Sequence, residues 1–131
     1  METNKDLILR QIQIFSDFLL FLTKHKTTKS EDITVYVNNF LLKNYNISFE
    51  LLIEKNAVEI EDIISTDNIE NINHFASILF LMYKKETNKD RQNRLSNIII
   101  HLYQSYQTKS GTYSFEIQSK INYILEKVNI S

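Results

Sequence analysis

The residues with chemistry to offer are three histidines, eleven serines and a few closely spaced acids. His25, His74 and His101 lie in separate segments. Neither His-Glu-x-x-His nor Glu-x-x-His, the spacings that hold zinc and di-iron in helices, is present. The nearest pattern is Glu70 and His74, four residues apart. That spacing puts both on one helix face, where a surface or cap contact is a simpler reading than a metal site. His101 reads as a half-buried packing residue. The acids Glu59, Glu61 and Asp62 alternate with Ile60 and Ile63 and read as the solvated face of a short helix. No serine sits on a Gly-x-Ser-x-Gly elbow. Cysteine is absent, which removes thiol catalysis, disulfides and cysteine-containing zinc sites. The expectation is no catalytic residue, no metal and no cofactor.

Two clusters carry binding rather than catalytic potential. Lys84, Lys85, Lys89, Arg91 and Arg94 gather where one helix hands over to the next, a candidate anion contact near a helix N-terminus. Glu86 and Asp90 interrupt the cluster, and fifteen cations against sixteen acids leave a net charge of -1. A nucleic-acid partner is therefore not the favoured one. Among the seven tyrosines, Tyr103 and Tyr106 stand at i, i+3. They fit either a peptide groove or a core edge with one end dry and one wet.

The elements that must position these residues follow from composition. With 131 residues, 43% of them hydrophobic, the chain supports one domain with one core. It has a single glycine, Gly111, and no proline. A β-sandwich or barrel needs many tight turns built from those residues, so the fold is expected to be all-α. Walker-A and dinucleotide-binding loops need at least two glycines and are excluded. The start of the chain is mixed in charge, unlike a secretory signal. The apolar stretch from Ile12 to Leu22 is too short and too interrupted to span a membrane. A cytoplasmic protein without membrane contact is expected.

Periodicity and capping residues predict about five long and two short helices. The first runs from about Lys5 to Lys24, with Ile8, Ile12, Phe15, Leu19 and Leu22 in one stripe. A second stripe, Leu7, Ile14, Phe18 and Phe21, lies about 100° round the same helix. The next helix starts at Ser30 as N-cap and carries Ile33, Tyr36, Val37, Phe40 and Leu41. Ser48 caps a short piece with Phe49, Leu52 and Ile53, and another short piece carries Ile60, Ile63 and Ile64. A long helix opens at Asp67 with Glu70 at N3 and continues to about Lys85. Its stripe is Ile69, Ile72, Ala76, Leu79 and Tyr83. The next begins after Asn88 and is broken by the Thr108 to Thr112 segment. The last starts near Ser114 with Ile117, Ile121, Ile124, Leu125 and Val128. The short link after Lys85 makes its two helices antiparallel neighbours.

The run Arg91-Gln-Asn-Arg-Leu95, then Ile98-Ile99-Ile100-His101-Leu102-Tyr103, resembles a family of small bacterial helical proteins that carry a domain-of-unknown-function label. Thr108 to Glu116, Lys120-Ile121 and the opening Lys5 to Ile12 extend the resemblance over most of the chain. It implies tetratricopeptide-type helical hairpins, here at the C-terminal end, and implies no activity or catalytic residues. The repeat's glycine, its proline and its period of about 34 residues are missing.

A first helix that is apolar on two faces is either central in its domain or shared with a partner. Ile14, Phe18 and Phe21 are the candidate self-association residues. The function expected is a non-enzymatic helical interaction module that binds a protein or peptide and forms a homodimer. The alternative is a regulator binding an anion or nucleic acid through Lys84 to Arg94.

Overall fold

A computed structural model describes residues 4–24, 30–65 and 68–130, with side chains from 13–24, 33–65 and 68–127. His25, Asp67 and Thr3 lie outside the described residues. The side chains of Leu7, Ile8, Ile12, Ser30 and Val128 lie outside the described side chains.

Within these limits the chain is a single all-α bundle of five long and two short helices, without strand. They are α1 (Asn4–Lys24), α2 (Ser30–Tyr45), α3 (Phe49–Ile53), α4 (Ala57–Ile64), α5 (Glu70–Lys85), α6 (Lys89–Ser110) and α7 (Phe115–Ile130).

Asparagine and serine do the work at helix ends that glycine and proline would otherwise share. Ser48 accepts the amide of Leu51 at the start of α3, and Asn56 that of Glu59 in α4. Asn88 accepts the amide of Arg91 in α6, and Ser114 that of Ile117 in α7. Each satisfies one of the amide donors that a helix N-terminus leaves unpaired. Asn46, at φ 55°, takes the left-handed conformation just after α2, and Gly111, at φ 67°, ends α6. Both conformations are open to few residue types, and asparagine is one of them.

One expected boundary moves. Helix α5 begins at Glu70 itself rather than with Glu70 in its third position. Asn68 accepts the Glu70 amide at 2.7 Å.

The antiparallel pair α5–α6 is the spine. Helix α5 contributes Ile72, Phe75, Ala76, Ile78 and Leu79 to the core, and α6 contributes Leu95, Ile99, Leu102 and Tyr103. Helices α1 and α2 pack on α5, and α4 packs on both spine helices. Helix α7 packs on α6 and also reaches α5, where Tyr123 meets Phe80 and Lys127 lies over the ring of Tyr83. Helix α4 reaches α6 at His101 and Lys109, whereas Lys120 of α7 lies over the ring of Tyr103. At 100° per residue, positions 101 and 103 face opposite ways, so α4 and α7 flank α6 on opposite sides. Two expected core residues lie at the surface instead: Ile69 is 37% exposed and Leu125 45%.

Candidate functional site: the groove between α1 and α2

Helix α1 is neither fully central nor a free surface. Phe15 and Leu22 are buried, and Phe15 meets Phe75 of α5 with ring centroids 6.5 Å apart. The second stripe turns to α2. Phe18 stacks on Phe40 at 4.3 Å with an interplanar angle of 7°, and Phe21 meets Tyr36 edge-on at 5.2 Å. Phe21 pairs with Tyr36, Phe18 with Phe40 and Phe15 with Tyr45, so the two helices run antiparallel.

Rings bridge the two helices without sealing the space between them. A cavity of about 420 Å³, open to solvent, is lined by Ile14, Phe18, Tyr36 and Phe40, with Asp17, Asn39, Lys43 and Asn44 at its edges. Leu20, 52% exposed, and Phe21, 42% exposed, extend the apolar surface on α1. The structure thus brings Ile14 and Phe18 to one groove with Phe21 beside it. Sequence reading missed the opposite bank. Tyr36, Phe40 and Lys43 recur at i, i+4 and i+7 on α2, and that shared face was the available signal.

Several members of the basic cluster are engaged within the chain. Arg91 pairs with Glu50 at 2.8 Å and Glu86 at 3.4 Å, and its guanidinium lies 5.3 Å from the Phe49 ring centre. Arg94 donates to the carbonyls of Ile53 and Lys55, so both arginines clamp α3 to the start of α6. Lys84 turns instead to the ring of Phe80, while Lys85 and Lys89 are exposed.

The acids of α4 require a correction. Glu59 and Asp62 are exposed, but Glu61 is buried at 4% exposure and faces α6. Its carboxylate takes His101 Nε2 at 3.1 Å and the Lys109 ammonium. Burial pushes the Glu61 carboxyl up. Hydrogen bonds from Lys109 and Ser105, with the charges of Lys109 and His101, outweigh that and hold it below the ordinary value. His101 is half-buried as expected, yet it serves as a polar tie between helices.

The other tyrosine and histidine expectations resolve into core contacts. Tyr103 is wholly buried, and its hydroxyl lies 2.7 Å from Ser77 Oγ. Tyr106 donates to Glu70, with contacts of 2.8 and 2.9 Å. Burial first, and the Glu70 carboxylate second, push the Tyr106 phenol up to about 12. His74 lies under Phe15, its ring centre 6.3 Å away, and burial lowers its pKa while Glu70 opposes that shift. Tyr103 and Tyr106 therefore form a core edge rather than a groove. Among the described residues, no three His, Asp or Glu side chains converge as metal ligands would. No described helix is long and apolar enough to cross a membrane.

No family model, curated protein or solved structure matches the chain.

Proposed function

We propose that the protein is a non-enzymatic helical interaction module that self-associates through the α1–α2 face. The observation that supports this reading is the open groove between those helices, with its floor of Ile14, Phe18, Tyr36 and Phe40. Apolar surface that a chain does not cover with its own elements is suited to a protein partner. Resemblance to small bacterial proteins built of helical hairpins fits the same reading by analogy. The groove lining is mixed in charge, with Asp17 on α1 and Lys43 on α2, and so favours protein over polyanion.

Sedimentation equilibrium at tens of micromolar tests the reading, with a dimer expected. Phe18→Glu breaks the close stack on Phe40, whereas Phe21→Glu loses only edge and looser ring contacts, so Phe21→Glu is the milder probe. Phe21 is already 42% exposed, and its replacement should weaken the dimer while leaving a cooperative melt. A wild-type chain that stays monomeric at these concentrations refutes self-association.

A further inference from the structure

The two banks of the groove carry opposite charges. Asp17 stands exposed on α1, hydrogen-bonded along its own helix by Gln13 Nε2 at 2.7 Å. Lys43 stands exposed on α2, in its last turn. Both border the cavity floored by Ile14, Phe18, Tyr36 and Phe40.

We propose that a second copy of this chain closes the groove, related by a two-fold axis along it, with Asp17 of each copy opposite Lys43 of the other. This rests on the self-association reading and adds its geometry. A two-fold axis lying along a groove keeps height and exchanges the banks, so α1 of one copy lies on α2 of its partner. Because α1 and α2 are antiparallel, each α1 then runs antiparallel to the α2 it meets, and the four helices form one closed set.

The charge pattern selects this occupant. An acid on one bank and a base on the other become two attractive pairs under the exchange. The stack of Phe18 on Phe40 in antiparallel helices puts Asp17 about two residues from the level of Lys43. That is about 3 Å of helix rise, within reach of a lysine side chain. The apolar floor meets its own copy across the axis, and a net charge of -1 per chain gives little long-range repulsion.

Charge reversal in the full chain tests the pairing. D17K converts both cross-pairs into repulsions between cations, and K43D converts both into repulsions between acids. Each variant alone should weaken the dimer roughly tenfold in sedimentation equilibrium. Mixed in equal amounts, the two variants should regain wild-type affinity, because every pair in the mixed dimer is attractive. The double variant D17K/K43D should regain it within one chain. Both positions are exposed, so circular-dichroism melts should remain close to wild type. If the wild type is dimeric and Phe21→Glu weakens it, yet D17K and K43D change nothing, this geometry is overturned and the self-association reading stands. A monomeric wild type removes both.

Discussion

Two sides of helix α5 are finished differently. Toward α4 and α6, polar groups in the packing are joined in pairs: Ser77 with Tyr103, Glu70 with Tyr106, Glu61 with His101 and Lys109. Leu95, Ile99 and Leu102 fill the space around them at zero exposure. Toward α1, Phe75 meets Phe15, and the neighbouring stripe holds polar atoms of another kind. Asn71, four residues before Phe75, is wholly buried, and among the described residues neither amide atom has a hydrogen-bond partner. Nδ1 of His74 is likewise buried without a partner among the described residues. Beyond α1, the α1–α2 groove remains open. The spine is complete within one chain, whereas the α1–α2 layer has stability in reserve and surface to offer. An unpaired buried amide costs about 1–3 kcal/mol, which a fully optimised layer would not carry.

The largest test of that contrast compares two leucines. Leu102→Ala in the spine should cost about 2–5 kcal/mol of unfolding free energy in urea, because the surrounding helices cannot collapse into the gap. Leu20→Ala on the open layer, with Leu20 already 52% exposed, should stay within about 0.5 kcal/mol. Equal costs would erase the distinction between the two regions.

Next in size is Glu61→Gln, expected to cost about 2 kcal/mol near neutral pH, with the Lys109 share reduced because that side chain is half in water. The pH dependence sharpens it. The folded carboxyl titrates below the ordinary value of a glutamate, so its contribution is complete above that ordinary value. As pH falls through the depressed folded pKa, the contribution is lost, and wild type and Glu61→Gln should converge in urea melts carried into acid. A gap that persists in acid would assign the cost to packing.

The smallest effect has the opposite sign. Asn71→Leu keeps nearly the same shape and removes two unpartnered polar atoms, and should raise stability by about 1 kcal/mol. A loss instead would show that the amide has a polar partner and that the α1 side is as well satisfied as the spine.

Legibility followed distance along the chain. Ser48, Asn88, Ser114 and Gly111 announced helix ends because a cap acts on amides or carbonyls two to four residues away. Stripes such as Leu95, Ile98, Ile99 and Leu102 announced buried faces because helical periodicity is local. Glu61 was misread for the complementary reason. Flanked by Glu59 and Asp62, it looks locally like any exposed acid, and its partners lie 40 and 48 positions further along the chain. Arg91 and Arg94 reach back 41 residues to Glu50 and Ile53, partners that no local pattern among the neighbouring lysines announces.

By itself, then, the sequence determined the class of element, the order of the helices and most of their ends, since backbone angles, capping and periodicity depend on near neighbours. Which acid is buried, where each cation points, and that Phe18 and Phe21 face Phe40 and Tyr36 across an open groove depended on the packing of helices distant in the chain. Only the tertiary structure decided those, because burial and pairing are properties of the space between helices, not of any one helix.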